Sequence, residues 1–360
     1  LDIGNVKNNN LRSHLEKELL KINDNNQFNT FLLSMVLKYA PCEYIEKYSD
    51  IQVLIKKSRL PKKPKVMYTA SLHLSSDVFN FWSALNVEHG ASLMLGQHGG
   101  MFGCAKNIPF ETHEFDVCDK YVSWGWGKKI EKVIQTGMTI SKIHRPFFKY
   151  FNYKNCKPSL LIVAPKYPKY FMLGISKDNT DLDWKNYFNE QLGLVRSLNR
   201  VKIDKIIYRS KSDYGSNVGH YKAFIDKTEN IEFQSITDIK ISTIVNKSRL
   251  VVVTYNATMI LQLLSSNIPV IAIWNKENWS LRNEAEEFFN ILQSVGILHY
   301  DYKSASRKIN YIWSDVNSWW FSKEIQSAVS EFCSEFSGRT TCIQKSNIIK
   351  KSLHELAKNE

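Results

Sequence analysis

The sequence predicts an α/β protein built on parallel sheets, because short apolar segments alternate along it with segments of helical periodicity. Its 360 residues exceed the size of one ordinary domain, so we expect two domains. The predicted strands of the first half are residues 65–70, 92–95 and 121–124. Those of the second half are residues 159–164, 205–208, 231–233, 250–254 and 270–274.

Predicted helices fill the intervals between these strands. Two amphipathic helices come first, at residues 11–22 and 28–39, because apolar residues recur there at helical spacing. The later helices are predicted at residues 77–89, 128–136, 184–199, 236–246, 258–265, 284–295, 305–313 and 322–336, before a polar tail. We therefore expect an N-terminal α/β domain over residues 1–150, a second α/β domain over residues 151–325 and a helical tail over residues 326–360.

The charge of the protein limits its partners. The formal net charge is +13 and the isoelectric point is near 9.2, which fits nucleic acid, an anionic membrane surface or phosphorylated and carboxylated substrates. No nucleic-acid-binding motif accompanies the charge, so we expect no nucleic acid partner. The basic connector at residues 56–65 (KKSRLPKKPK) is either a solvated linker or a contact for anionic lipid headgroups.

Cysteine usage and hydropathy indicate the compartment. Six cysteines are scattered without CxxC pairing, which favours a reducing cytoplasm and argues against a zinc site. No apolar run reaches the length of a membrane-spanning helix. We therefore expect a soluble protein. Because the chain begins with Leu, we also expect it to be a segment of a longer polypeptide.

Titratable side chains are concentrated after the second predicted strand, among the glycines and aromatic residues of positions 96–126. Parallel α/β sheets bind their ligands beyond the carboxyl ends of the strands, and His98 lies there beside two glycines that permit a sharp turn. The other candidate catalytic residues of this segment are Glu111, His113, Glu114 and Asp119. The alternatives are a tight turn with a hydrogen-bonded histidine, and a buried polar network that ties the turn to the sheet.

The second half contains a predicted phosphate site. The strand at residues 250–254 runs through a short polar turn into a helix, and unpaired backbone N–H groups and the helix dipole favour an anion at such a start. Thr254, Asn256 and Thr258 can add hydrogen bonds, although Asn256 or Thr258 could equally be a plain N-cap. The motifs GxxxxGK[ST] and GxGxxG are absent, so neither a P-loop nor the dinucleotide fingerprint is expected.

Charged residues follow the strand at residues 205–208 at the same predicted edge. Arg209 and Lys211 can pair with a phosphate, and Asp213 can accept a hydrogen bond from a sugar hydroxyl. The alternative is a solvated charged loop. Lys166, Tyr167 and Lys169, after the strand at residues 159–164, share this edge and rank lower.

Longer motifs carry a family resemblance over roughly residues 40–335. They are GQHGG-x-FG, E-x-HE-x4-D-x-Y-x-SWGW, SRL-x3-TYNAT, NIP-x-I-x-IW, GILH and IW-x-D-x3-WW. In these the chain resembles a bacterial family of transferases from surface-polysaccharide loci, related to the retaining β-Kdo glycosyltransferases of O-antigen assembly. It departs from the family in the helix after the TYNAT turn, where Leu261-Gln262-Leu263 replaces the usual step of an aliphatic residue, glutamate and serine.

The resemblance implies a GT-B-like enzyme with two Rossmann-type domains facing across a cleft, and with helical additions at both ends. It implies a nucleotide-sugar donor, CMP-Kdo by the nearest analogy, and a lipid-linked glycan acceptor of lipopolysaccharide O-antigen or capsule. It also implies a cytoplasmic location, peripheral on the anionic inner membrane. No cofactor or metal would be bound if Arg209, Lys211 and the helix start neutralise the donor phosphate.

Retention of configuration implies a carboxylate nucleophile and a covalent glycosyl adduct. Asp119 or Glu114 is the expected nucleophile, and His113 or Glu111 the expected acid/base partner. Two other functions stay open. One is a metal-dependent nucleotidyl- or phosphotransferase of surface-polysaccharide synthesis, and the other is a non-catalytic assembly partner.

Overall fold

The computed structural model describes residues 7–22, 26–138, 159–165, 181–210, 224, 227–228, 230–234, 239–338 and 340–358. The chain divides into two compact units, Leu1–Met94 with Leu356–Glu360, and Leu95–Glu355. The boundary predicted between residues 150 and 151 lies outside the described residues, as does the predicted interdomain connection at 145–158. The division into residues 1–150, 151–325 and 326–360 therefore stays a prediction.

The first unit begins with the two predicted amphipathic helices, α1 (Asn9–Ile22) and α2 (Gln27–Tyr39). The buried guanidinium of Arg12 joins them, because it donates to Leu37 O at 2.5 Å and to Ala40 O at 2.9 Å. It also holds both carboxylate oxygens of Glu46, at 2.7 and 2.8 Å. These hydrogen bonds lower the pKa of Glu46 to about 2. The buried side chain of Arg12 thus connects α1 with the end of α2 and with Glu46.

The first sheet has four strands in the order β1-β2-β3-β4. They are β1 (Val66–Thr69), β2 (Ser92–Gly96), β3 (Lys120–Ser123) and β4 (Val133–Gln135), and the helices α3 (Tyr48–Lys57), α4 (Asp77–Val87) and α5 (Pro109–Val117) lie before or between them. The short apolar strand segments place Met94, Leu95 and Tyr121 in the core with no exposed surface. The predicted sequence of strand, helix and strand at residues 65–95 is confirmed.

The helix predicted at residues 128–136 is wrong, because β4 lies there. Val133 pairs with Tyr121 in a parallel ladder between β3 and β4, and Tyr121 N–H donates to Lys132 O at 2.8 Å. Neighbouring Val133 and Ile134 are β-branched and suit a strand. The helical spacing of this short segment was therefore overridden by pairing with a strand that lies earlier in the chain.

The second sheet has six parallel strands in the order β10-β9-β8-β5-β6-β7. They are β5 (Ser159–Ala164), β6 (Lys205–Ser210), β7 (Ile231–Gln234), β8 (Ser248–Val253), β9 (Val270–Ile273) and β10 (Leu298–His299). When these six strands are numbered in chain order, the sheet reads 3-2-1-4-5-6 from its β7 edge. This is the strand order of doubly wound nucleotide-binding folds. Central strands β5, β8 and β9 are buried along nearly their whole length, as both faces of such a sheet are covered.

The remaining described helices cover this sheet and extend beyond it. They are α6 (Asp181–Ser197), α7 (Ile241–Lys247), α8 (Thr258–Ser265), α9 (Asn283–Ser294), α10 (Tyr302–Ile312), α11 (Val316–Trp320), α12 (Lys323–Phe336) and α13 (Cys342–Leu356). The sequence missed β10, and α13 lies within the helical tail predicted over residues 326–360. After α12 the chain meets the segment that follows β4, where Met138 N–H donates to Ser337 O at 2.6 Å. The predicted α/β class with two sheets and helical additions at both ends is confirmed.

No helix among the described residues combines the length and the apolar character needed to cross a membrane.

Candidate functional site

The candidate site lies at the topological switch point of the six-stranded sheet. Strands β5 and β8 are neighbours at its centre, and the chain builds outward from them in both directions. Ligands of doubly wound sheets bind beyond the carboxyl ends of the strands at this point. The turn from Thr254 to Ala257 leaves β8 there and leads into α8. The predicted phosphate site therefore occupies the position that the topology favours.

Gly100 lies directly against the start of α8. Its backbone N–H donates to Thr258 Oγ1 at 3.1 Å. A Cβ atom on this residue would lie 2.5 Å from Thr258 N and 2.6 Å from the carbonyl carbon of Ala257, so the approach requires glycine. The glycine turn (residues 97–100) is thus in contact with the predicted phosphate turn (residues 254–258). The sequence predicts the two turns separately.

Two polar side chains of the phosphate turn, those of Thr254 and Asn256, have protein partners. Tyr187 Oη and Thr254 Oγ1 are 2.6 Å apart, and Thr254 Oγ1 donates to Val163 O at 3.2 Å. Asn256 is buried with its amide nitrogen 4.0 Å from Cys104 Sγ. The residue that caps α8 is Ala257, and no side chain accepts from the first turn. Neither Asn256 nor Thr258 is therefore the N-cap of α8, and a ligand at this helix start can accept from backbone N–H groups and from the Thr258 hydroxyl.

Glu111 and Arg282 form a second connection within this unit. One carboxylate oxygen of buried Glu111 accepts from Gly103 N–H at 2.7 Å, and the other pairs with Arg282 Nη2. Arg282 Nε donates to Ala105 O at 3.0 Å. Sequence reasoning missed Arg282. The signal that could have indicated it is its place between the end of β9 and the start of α9, at the ligand edge of the sheet.

His98 is held beside a fully buried carboxylate. Its Nδ1 lies 3.5 Å from Glu114 Oε1, and a quarter of the His98 side chain is exposed whereas none of Glu114 is. Tyr121 Oη donates to the other oxygen of Glu114 at 3.0 Å. Burial, and then the charge of Glu114, raise the pKa of Tyr121, so this phenol stays protonated and donates. The ring of Phe102 packs edge-on against the imidazole of His98, with the two ring centres 4.7 Å apart.

The peptide segment that carries His98 is fixed by Gln97, which the sequence analysis did not single out. The side-chain oxygen of this buried residue accepts from Trp124 N–H and Trp126 Nε1, each at 2.8 Å. Its amide nitrogen donates to Gly99 O at 2.7 Å. One side chain therefore joins the glycine turn to the tryptophans after β3, and Trp126 belongs to the core rather than to an open sugar platform.

The other predicted site residues are not gathered around His98. His113 and Asp119 are exposed, and Asp119 precedes β3, at the amino end of that strand. Arg209 is buried and donates to Ile239 O at 2.6 Å. Lys211 and Asp213 lie outside the described residues, as do Lys166, Tyr167 and Lys169. On α5, Glu111 and Glu114 share one face, and this face is the buried one.

Cys104 lies between the glycine turn and Asn256. Its thiol donates to Met101 O at 3.2 Å, and burial raises its pKa to about 12. It is therefore a neutral packing residue rather than a nucleophile or a thiolate ligand. Within the described part of the chain, no three His, Cys, Asp or Glu residues are grouped so that they could hold a metal ion.

Comparisons with known proteins give a family and a set of fold likenesses. A family model described as "LIC12162 family transferase" matches residues 3–350. None of the curated proteins is similar enough in sequence to match.

Solved structures resemble the chain in fold. An S. aureus MnaA–UDP co-structure is 12% identical with a TM-score of 0.48, over 86% of this chain and 79% of that one. A glycosyltransferase from Rickettsia africae ESF-5 is 16% identical with a TM-score of 0.46, over 96% and 88%. A UDP-GlcNAc 2-epimerase from Neisseria meningitidis bound to UDP-GlcNAc is 10% identical with a TM-score of 0.48, over 85% and 80%. At such low scores and identities these likenesses give no information on function.

A double-mutant cycle tests the connection between Glu111 and Arg282. We expect Glu111→Gln and Arg282→Gln to lower the free energy of unfolding less than additively, with a coupling energy of about 1–3 kcal/mol, because either change alone leaves a partly buried charge without its partner. Urea denaturation measures each variant. Exposed Glu287 on α9 provides the control, since Glu287→Gln combined with Arg282→Gln should be additive. Equal coupling in the two cycles would contradict the assignment.

Proposed function

The chain belongs to the LIC12162 family of transferases, and we propose that the group it transfers is a sugar. The donor is a nucleotide sugar, CMP-Kdo in the most specific form of the proposal. The acceptor is a lipid-linked glycan of lipopolysaccharide O-antigen or capsule. The proposal requires no bound cofactor or metal.

One observation carries the proposal, namely the contact of Gly100 with the start of α8. Glycosyl transfer needs a group that binds the leaving phosphate and a group that handles protons at the same reacting centre. Thr258 marks the phosphate turn, and His98 is separated from Gly100 by a single residue. The structure therefore supports a site in which phosphate binding and proton transfer are adjacent.

The start of α8 supplies the phosphate-binding part of this proposal. Its first-turn N–H groups have no side-chain cap, and the positive end of the helix dipole favours an anion. Gly100 covers one side of Thr258 N, so the donor phosphate approaches from the other side. Arg282, with about a third of its side chain exposed, adds a cation in the same unit. An anionic keto-acid sugar such as Kdo suits the positive net charge.

His98 is the acid/base group that the geometry favours. The Nδ1 atom of His98 faces Glu114 Oε1, and this contact orients the imidazole ring. Glu114 and Tyr121 then act as positioning residues. A general acid or base held in this way contributes a factor of about 10²–10⁴ to the rate.

Retention of configuration stays a prediction, to be tested by the anomeric configuration of the product. A double displacement needs a carboxylate that reaches the anomeric carbon. For Glu114 to attack, its carboxylate has to leave Tyr121 and His98. For Asp119, the sugar has to reach the amino end of β3. His113 and Glu111 remain the acid/base candidates of that mechanism, although Glu111 is already engaged by Arg282.

A nucleotide screen tests the donor assignment. We expect CMP to raise the melting temperature more than UDP, GDP or ADP, and to do so equally with and without Mg²⁺, because protein groups neutralise its phosphate. Calorimetry with Thr258→Ala should show CMP binding weakened by on the order of 1–2 kcal/mol, the contribution of a hydrogen bond to a charged group. Ser265→Ala, at the far end of α8, is the matched control.

Other results of this screen exclude the assignment. Stabilisation only in the presence of metal indicates a nucleotidyl- or phosphotransferase. No stabilisation by any nucleotide indicates an assembly partner. Equal affinity of Thr258→Ala and wild type for CMP rules out the start of α8 as the phosphate site.

Kinetics of a His98 variant test the proton-transfer role. His98→Gln should lower kcat for CMP release from CMP-Kdo by about 10²–10⁴, while CMP affinity and melting temperature stay at wild-type values, because the change removes chemistry rather than phosphate contacts. His354→Gln, exposed on α13, is the control. If activity falls only as far as the fraction of folded protein falls, His98 is structural.

Peripheral membrane association is part of the proposal because the acceptor is lipid-linked. Helix α2 supports it with an exposed apolar face at helical spacing, formed by Phe28, Phe31, Leu32, Val36 and Tyr39. Lys38 and Lys7 lie beside Tyr39, with Nζ atoms 5.5 and 6.0 Å from its ring centre. Apolar side chains beside cations are the composition expected of a helix that rests on an anionic surface.

Vesicle flotation tests this association. We expect the protein to float with phosphatidylglycerol vesicles at low salt and to be released by salt, because screening weakens the attraction of the positive chain to the surface. Phe31→Ser/Val36→Ser should reduce flotation. Val201→Ser/Tyr311→Ser removes two other exposed apolar side chains and should leave flotation unchanged. Protein that stays in the soluble fraction at low salt excludes the association.

A further inference from the structure

The first unit contains a cavity of about 910 Å³ at the amino ends of β1 and β2. It is enclosed by the last turns of α3 and α4, the connector at residues 58–65 and the turn before β2. Lys65 immediately precedes β1, and Ala91 immediately precedes β2. Doubly wound sheets bind their principal ligands at the opposite, carboxyl ends of the strands. The cavity is therefore not an extension of the site described above.

The walls of this cavity combine an apolar floor with a basic rim. Ile55, Leu60, Trp82 and Leu85 supply apolar surface. The cations are Lys56, Lys62, Lys63 and Lys65, with His89 beside them. None of the described residues that line the cavity is acidic. Its volume is within the range of roughly 300–1,000 Å³ that is usual for small-ligand sites.

The connector that carries these lysines is held in place rather than free. Trp82 Nε1 donates to Pro61 O at 2.9 Å, which fixes the connector over α4. Ser58 donates to Ile55 O from its N–H, at 3.1 Å, and from its hydroxyl, at 2.7 Å. The cavity is thus a built feature of the unit, with a tryptophan anchored in its wall.

Three carbonyl groups in the helices around the cavity have hydrogen-bond partners other than its lysines. Helix carboxyl ends attract positive charge because their last carbonyl groups lack partners. Here Ser58 occupies Ile55 O, Asn86 Nδ2 occupies Trp82 O at 2.7 Å, and the His89 ring lies 2.5 Å from Leu85 O. These three carbonyl groups therefore do not explain why Lys56, Lys62 and Lys63 are gathered at one cavity.

We propose that this cavity binds a phosphorylated ligand that carries an apolar group. Lysine ammonium groups bind phosphate as point charges, and bringing a dianion among several like charges relieves their mutual repulsion. The apolar walls provide contact for a hydrocarbon or ring attached to the phosphate. Both a soluble phosphate ester and the headgroup of a phospholipid have this chemistry. The proposal is independent of the transferase reaction.

Phenyl phosphate is the probe for the combined chemistry, measured by calorimetry on the whole chain with saturating CMP present. We expect it to bind at least tenfold more tightly than inorganic phosphate, because only phenyl phosphate also contacts the apolar walls. Lys62→Gln/Lys63→Gln should weaken it at least tenfold. Both residues are exposed, so the variant should fold normally. Lys303→Gln/Lys323→Gln removes the same charge elsewhere and should bind as wild type does.

Two further measurements identify the source of the phosphate. If dihexanoyl phosphatidic acid binds as tightly as phenyl phosphate, and Lys62→Gln/Lys63→Gln abolishes flotation with phosphatidic acid vesicles, the ligand is a lipid headgroup. If phenyl phosphate binds but flotation is unchanged in the variant, the ligand is soluble. Both results support the site.

Three results overturn the proposal. They are no binding of phenyl phosphate, equal affinity for phenyl phosphate and inorganic phosphate, and equal binding by the Lys62/Lys63 variant and its control. In each case the connector is a solvated basic linker.

Discussion

Gly100 packs its backbone against Ala257 and Thr258, in a space that has no room for a side chain. Other features of the site depend on this close contact between Gly100 and the start of α8. The turn that brings Gly100 to α8 also sets the position of His98, and Gln97 fixes the same turn from the side of the tryptophans. Glu111 and Arg282 tie the segment after the turn to the residues before α9. Two sets of polar contacts, contributed by different parts of the chain, thus hold one close backbone contact in place.

The buried carboxylates of this region work mainly as positioning groups. A buried charge is costly unless it is paired and hydrogen-bonded, and Glu111 meets this requirement through Arg282 and Gly103. Glu114 meets it through Tyr121 and His98. Removing either carboxylate would leave its partners without a hydrogen-bond acceptor, at a similar cost in free energy. In the proposed site, the charged cluster that the sequence offers as a set of catalytic groups is therefore in large part a framework that positions His98.

Local patterns were sufficient to predict most of the second sheet and the turn between β8 and α8. The sequence predicts α8 with the bounds that the structure has, because apolar periodicity begins directly after a short polar turn. It indicates Glu111 and Glu114 as candidate groups, but it does not show that both are buried on one face of α5. The role of Arg282 was not predictable, since its partner Glu111 lies 171 residues away in the chain. Strand β4 was missed for the same kind of reason, because its pairing with β3 outweighs the helical spacing of its own residues.

The position of a residue along its strand separates candidates that composition treats alike. His98 follows the carboxyl end of β2, whereas Asp119 precedes the amino end of β3. In a parallel sheet these two ends face opposite edges, and only the carboxyl edge adjoins the loops that bind ligands. Gly100 also excludes a phosphate from one side of Thr258 N, so a ligand at α8 has a restricted direction of approach. Strand polarity and this steric limit together favour an imidazole over an exposed carboxylate as the group that meets the substrate.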